Sequence, residues 1–200
     1  MKMKRETILL FAFAFAVIYG PCAAQKNQLT KTNVMETKTS DFTSTILVNE
    51  TPETVFNAIN NVSGWWSEEI EGVTNKQNGE FLYHYKDVHI CKLKVVALVA
   101  NTKVVWLVLD NHFSFTKDKK EWKGTTINFE IKKVGKQTEL RFTHVGLSPA
   151  YECYTICEEA WTKYIQESLY GLITTGEGMP NAKEGGFNQE LVEKHLTPSN

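Results

Sequence analysis

An excess of charge of either sign is the first thing this chain lacks: 22 Lys and Arg stand against 23 Asp and Glu, a formal net charge of -1, and the isoelectric point is near 6.5. A nucleic-acid partner would need a basic face, and attachment to an anionic membrane surface would need surplus lysine and arginine, so neither is expected. Long apolar runs are missing too. The stretch Ile8 to Ile18 is uninterrupted but only eleven residues long, about half of the ~20 that a membrane helix requires. Cysteines number four, at positions 22, 91, 153 and 157; the first falls in a segment expected to be removed, and the three that remain are an odd number that implies no disulfide framework, with Cys153 and Cys157 expected as buried free thiols. No internal repeat, phosphate-cradling glycine loop, paired carboxylates or nucleophile beside a base is visible.

What is there begins with an export signal. Lys2, Lys4 and Arg5 precede the apolar run, and Cys22-Ala23-Ala24 supplies the small residues that a signal peptidase reads, so residues 1–24 are expected to be removed and the protein exported, to a periplasm or outside the cell. The alternative, a lipid-bearing Cys22, is disfavoured by Pro21. Without residues 1–24 the chain carries a net charge of -3, keeps three cysteines and has no integral membrane span. Residues 25–40 are polar and aperiodic, as expected of a flexible linker.

Ordered pattern starts at Asp41. Phe42, Ser44, Ile46 and Val48 alternate with Thr43, Thr45 and Leu47, which predicts a strand. Thr51-Pro52 predicts a capped helix start with Val55, Phe56 and Ile59 on its apolar face, and Ser67 to Ile70 is expected to add a second short helix. From Gly79 the period is two. Inward sets are Phe81, Tyr83 and Tyr85; Cys91, Leu93 and Val95; Ile127, Phe129 and Ile131; and Leu140, Phe142 and His144, while Val104 to Leu109 is apolar on both faces, so both sides of that strand are expected to be partly covered, with Trp106 an inward candidate. Asn101-Thr102 predicts a tight turn, and His112 to Lys120 a loop in which Phe113 and Phe115 could act as a lid.

A long helix is predicted over 148–175, with Ser148 as its cap and Pro149 at its first position. Cys153, Cys157, Trp161, Tyr164, Ser168 and Leu172 recur at steps of three or four beside Ile165, Leu169 and Ile173. Glu158, Glu159, Thr162, Lys163, Gln166 and Glu167 fall opposite. Glu159 and Lys163 are placed for a pair one turn apart, and Gly176, Gly178 and Pro180 end the helix. The tail, 182–200, is expected to be peripheral apart from a helical turn at Glu190 to His195. The fold class predicted is α+β: a curved antiparallel sheet of about six strands, two short helices, and one long helix covering the concave face.

That order, together with Glu121-Trp122, Gly124-Thr125, Thr143-His144-Val145-Gly146-Leu147, Glu152-Cys153-Tyr154, Cys157, Ala160-Trp161, Ser168-Leu169 and Thr175-Gly176-Glu177-Gly178-Met179-Pro180-Asn181, resembles the START-like (SRPBCC) superfamily. Within it the chain is most similar to the homologues of the activator of heat-shock-protein-90 ATPase. The resemblance spans Phe42 to Asn181, within a domain taken as 41–181. It implies a helix-grip fold whose members hold lipids, steroids, polyketides or hormones between helix and sheet, while a few are enzymes. The chaperone-activating role itself does not fit an exported chain.

A cavity between helix and sheet would be lined by Trp65, Trp66, Phe81, Tyr83, Trp106, Phe129, Phe142, His144, Cys153, Cys157, Trp161 and Tyr164, an apolar set with a few polar groups. The competing expectation is that these rings simply fill the core. The adjacent tryptophans could guard the mouth of that cavity; the alternative is that they divide between core and surface. His144 with Cys153 and Cys157 has the donor types of a zinc site but lacks a fourth ligand, so no metal and no cofactor are expected. His144 as a general acid or base is the enzyme alternative, and a protein-interaction or chaperone-cofactor-like module the third. The expected role is non-catalytic binding of a small hydrophobic or amphipathic molecule.

Overall fold

Strands form where β-branched and aromatic residues alternate with polar ones, because only that period puts every apolar side chain on one face of a pleat. The computed structural model describes residues 41–183 and 187–196; the expected export segment and linker lie outside the described residues. Seven strands result: β1 (Phe42–Val48), β2 (Ile70–Gly72), β3 (Glu80–Tyr85), β4 (His89–Val99), β5 (Lys103–Phe113), β6 (Thr126–Val134) and β7 (Gln137–Val145). They make one curved, unclosed sheet in the order β1-β7-β6-β5-β4-β3-β2. All neighbours are antiparallel, and β1 closes back on β7 in register from Phe42 opposite His144 to Val48 opposite Thr138.

Helix α1 (Pro52–Asn60) starts as its sequence requires, with the Thr54 amide donating to Thr51 Oγ1 at 3.1 Å. The second short helix predicted at Ser67 to Ile70 is absent. A single 3₁₀ turn, Val62–Gly64, comes earlier, and Ile70 opens the three-residue edge strand β2 against β3. Three residues are too few to display a period. The irregular backbone at Trp65 also sends both tryptophans inward: Trp65 and Trp66 are buried together rather than divided between core and surface.

A second departure lies in β5. Its register against β4 shifts between Lys92 and Leu93, so Lys92 pairs with Asp110 and Leu93 with Val108, leaving Leu109 as an extra residue. Such a bulge reverses which residues face inward. Before it the buried residues are Val104, Trp106 and Val108; after it they are Asn111 and Phe113. The strand therefore runs on through His112 and Phe113, which the sequence pattern assigned to a loop.

The long helix consists of α2 (Tyr154–Lys163), a π-helical turn (Tyr164–Leu169) and α3 (Tyr170–Thr175), joined without interruption. Of the stripe read from the sequence, Cys153, Cys157, Trp161, Tyr164, Ile165, Ser168, Leu169 and Ile173 are buried, and Leu172 is half-buried. The widened π turn lets two adjacent pairs, Tyr164-Ile165 and Ser168-Leu169, point inward together. Its start differs from the expected one. Residues 149–153 form turns, and the cap arrives from a distant loop: the Glu121 carboxylate accepts from the Glu152 amide at 2.6 Å and the Cys153 amide at 2.9 Å. Glu152 in turn accepts from the Lys117 amide at 2.6 Å, which ties the β5–β6 loop to the helix start.

The helix ends at Gly176, whose φ of 83° is the left-handed geometry that glycine adopts without strain. Two residues on, a Cβ on Gly178 would overlap the Gly64 carbonyl oxygen, so this return segment packs backbone against backbone. Beyond it, α4 (Phe187–Leu196) lies against α2, with Asn188 and Leu191 buried. Glu159 bonds Lys194 at 2.7 Å and His195 at 2.9 Å, and Lys163 reaches Glu190 at 3.5 Å, so both members of the expected intrahelical pair extend toward α4.

Candidate functional site

The concave face of the sheet and the buried stripe of α2 meet in a stack of aromatic rings. Trp66 is its hub, with ring centroids 4.5 Å from Tyr83, 5.1 Å from Trp161 and 6.0 Å from Trp106. Trp65 lies 6.3 Å from Trp106 and 6.0 Å from Phe129; Phe142 lies 4.7 Å from Trp161 and Phe81 5.1 Å from Trp106. Rings at these separations fill the centre of the grip. What remains is a void of about 50 Å³ at one end, between β3, β4, the end of β5, α2 and α4. It has room for a few water-sized groups, against the ~300–1,000 Å³ of an ordinary ligand pocket.

Of the twelve residues singled out from the sequence, Trp66, Tyr83, Cys157, Trp161 and Tyr164 line this void. Trp65, Phe81, Trp106, Phe129, Phe142, His144 and Cys153 are buried in the packed core away from it. The separation has a plain cause. Phe129 and Phe142, on β6 and β7, pack directly against the rings under the helix, whereas beside β3 and β4 the wall is completed by residues outside that set: His89, two positions before Cys91 on the inward face of β4; Phe113 and Phe115, the two residues expected as a lid; and Trp122, Asn188 and Leu191. Phe113 and Asn111 required the β5 bulge, and Asn188 and Leu191 required the docking of α4. Trp122 was noted in the family motif but carried no period of its own.

His144 is fully enclosed and fully engaged. Trp161 Nε1 can only donate, and it reaches His144 Nδ1 at 3.1 Å, so Nδ1 carries no hydrogen. Nε2 then bears it and donates to Thr125 Oγ1 at 2.8 Å, and Thr125 passes its own hydrogen to the Trp122 carbonyl at 2.6 Å. Burial, with a smaller contribution from His89, lowers the His144 pKa to about 3. A neutral ring with both nitrogens occupied and no face on the void orients Trp161 and Trp122. Among the described residues no three of His, Cys, Asp and Glu converge as a metal-binding group. Cys91, Cys153 and Cys157 are free buried thiols, and burial followed by the neighbouring Cys153 raises the pKa of Cys157.

His89, to which the sequence reading gave no role, belongs to the void. Asn111 Nδ2 donates to the Lys119 carbonyl at 3.2 Å, so its Oδ1 is the atom that accepts from His89 Nε2 at 2.9 Å, leaving Nδ1 as an unprotonated acceptor. Desolvation lowers this pKa as well, to about 3. The ring stands 4.4 Å from Phe113, 4.8 Å from Trp122 and 5.0 Å from Tyr83. Across the void Asn188 bridges two tyrosines: its Nδ2 donates to Tyr83 Oη at 2.8 Å and its Oδ1 accepts from Tyr164 Oη at 3.0 Å. Burial raises the pKa of both tyrosines, which stay neutral. The Trp122 indole N–H is buried beside the Cys157 sulfur, a weak acceptor. The void is thus apolar, uncharged at neutral pH, and closed on one side by α4.

Comparison with known proteins places this arrangement. A search of curated proteins finds no match. Among solved structures, the Aha1 dimer from Colwellia psychrerythraea superposes with a TM-score of 0.57 at 22% identity, covering 70% of this chain and 99% of that one. A protein from Staphylococcus saprophyticus superposes with a TM-score of 0.53 at 14% identity, covering 72% and 99%. At these identities the likeness establishes the helix-grip fold alone. The family model for the Activator of Hsp90 ATPase homolog 1-like proteins matches residues 49–174, from the end of β1 to α3. Since that match takes in more than half of the chain, this protein belongs to the Activator of Hsp90 ATPase homolog 1-like family.

Proposed function

We propose that this is an exported binding protein that takes a small hydrophobic or amphipathic molecule into the void beneath α2, without catalysis. The observation that carries the reading is the void itself: a space lined mainly by aromatic rings, with His89 and Asn188 as the polar residues in its wall. An apolar body with one polar end matches that lining. At about 50 Å³ the space holds only a few non-hydrogen atoms, so a larger guest enters as α4 moves outward. The non-catalytic part rests on His144, whose ring nitrogens are both occupied by neighbours. Export rests on Lys2, Lys4, Arg5 and the apolar run that follows them.

Native mass spectrometry of the protein as isolated, followed by titration with a fluorescent fatty acid, tests this reading. A bound apolar molecule that the fatty acid displaces is the expected result. Leu191→Trp, which puts bulk at the α4 wall, should weaken uptake at least tenfold, and Leu191→Ala should not. If fatty acids, sterols and planar aromatics all fail to bind, the proposal is wrong.

A further inference from the structure

The polar contact that crosses the void is made where α4 docks, by a side chain that is itself a primary carboxamide. Asn188, near the start of α4, is buried, and its amide spans two phenols: Nδ2 donates to Tyr83 Oη at 2.8 Å and Oδ1 accepts from Tyr164 Oη at 3.0 Å. The two phenols also hydrogen-bond each other. Since Tyr164 gives its hydrogen to Asn188, the hydrogen between the phenols comes from Tyr83, and the three side chains close a ring in which each donates once and accepts once. Such a ring fixes what its third member must do: donate to Tyr83 and accept from Tyr164. Asparagines elsewhere need no such account. Beside the C-terminal end of α1, a hollow of about 560 Å³ is walled by Asn57, Asn60, Asn61 and Asn75 and is open to water. The ring at Asn188 is instead set into a wall of Trp66, Phe113, Trp122 and Trp161. It also arrives on a lightly held element. Among the described residues of α4 only Asn188 and Leu191 are buried, and the Asn188 backbone N–H donates to Asn181 Oδ1 at 3.1 Å. Further out, α4 is tied by Glu159 to Lys194 and His195 and by Lys163 to Glu190, exposed pairs of a kind that adds little to stability.

We infer that Asn188 stands in for the polar end of the guest, so that the void selects an apolar molecule ending in a neutral primary carboxamide, which replaces Asn188 between Tyr83 and Tyr164 as α4 lifts. This rests on the binding role proposed above and adds the head group to it. A primary amide carries a donor and an acceptor on neighbouring atoms, as Asn188 does. An ionised carboxylate, an ester or a dialkylated amide only accepts, and an ammonium only donates, so each leaves one position of the ring unmatched. Charge is disfavoured further, because no Lys, Arg, Asp or Glu is among the described residues that line the void. α4 is thereby an internal competitor: guest and Asn188 contend for the same two hydroxyls.

Calorimetric titration of the full chain with octanamide, N,N-dimethyloctanamide and octanoate tests the head group at constant tail. Octanamide should bind at least tenfold more tightly than either of the others, equivalent to about 1.4 kcal/mol. Tyr164→Phe keeps the aromatic ring and removes the hydroxyl, so most of that preference should vanish. Asn188→Ala removes the competitor without adding bulk and should tighten octanamide binding severalfold; weaker or unchanged binding would make Asn188 a structural support and overturn the inference. Equal affinity for the three guests, or no binding of octanamide where a fatty acid does bind, overturns it too and leaves the role proposed above in place. Failure of these guests together with the fatty acids, sterols and planar aromatics overturns both. The comparison of guests on the unaltered chain decides the matter should a variant fail to fold.

Discussion

Two hollows border the packed core without sharing a lining residue, and they differ in nearly every physical respect. The one under α2 is an order of magnitude smaller than the one beside α1, about 50 against about 560 Å³. The first is walled by rings that touch one another, and its charge-bearing groups are held neutral by burial. The second is walled by amides open to water, with one carbonyl oxygen left without a partner. Aromatic surface gains by contact with itself, at about 25 cal/mol for each Å² removed from water, so rings close whatever space the backbone allows. Amides gain nothing by such closure, because water satisfies them equally well. A large apolar void would be costly to keep empty, and a large polar cleft is not.

Substitutions should separate the two hollows sharply. Trp66→Ala removes the hub of the stack and should cost about 3–5 kcal/mol in urea denaturation, the range for a large aromatic deleted from a core. Equal tolerance of Trp66→Ala and Asn57→Ala would remove the distinction between a packed and an open region.

Acid should act on the aromatic side. His89 and His144 have folded-state pKa values lowered from 6.5 to about 3. Above about pH 6.5 both are neutral whether the chain is folded or not, and they contribute no pH dependence. Below it the unfolded chain binds protons that the folded chain refuses. Stability therefore falls as pH falls from about 6.5 toward 3, by up to about 1.4 kcal/mol per pH unit for each histidine. Denaturation midpoints at pH 7 and pH 5 check this, and His89→Asn should flatten the dependence. Unchanged stability over that interval would mean that these rings are not buried neutral.

A smaller effect is expected at the helix start. Glu121→Ala leaves the Glu152 and Cys153 amides without their acceptor and should cost about 1–2 kcal/mol by the same measurement, with Glu121→Gln recovering part of it. Smallest of all, Asn57→Ala, at an exposed position of α1, should alter stability by under about 0.5 kcal/mol, as surface changes usually do.

The helix-grip architecture was largely legible, because both of its periods are written in residue type. Phe81, Tyr83, Leu93, Trp106, Phe129, Phe142 and His144 mark the concave face at period two, and Cys157, Trp161, Tyr164 and Ile165 mark the covering stripe at helical spacing. The candidate site was legible only in part. Cys157, Trp161, Tyr164, Tyr83 and Trp66 could be placed near a void, but sequence spacing could not separate residues that line it from residues that pack behind it.

The residues alone determined which faces are apolar, where α1 begins and where the long helix ends, since alternation, a capping threonine and a left-handed glycine act over a few neighbouring positions. Everything that depends on positions far apart in the chain was decided by the tertiary structure. The bulge at Leu109 turned Asn111 and Phe113 inward, Glu121 reached across 31 residues to cap the helix, and Asn188 on α4 joined Tyr83 to Tyr164. Local pattern reports the free energy of a segment against water. Which void survives depends on how whole elements meet, and no single segment carries that information.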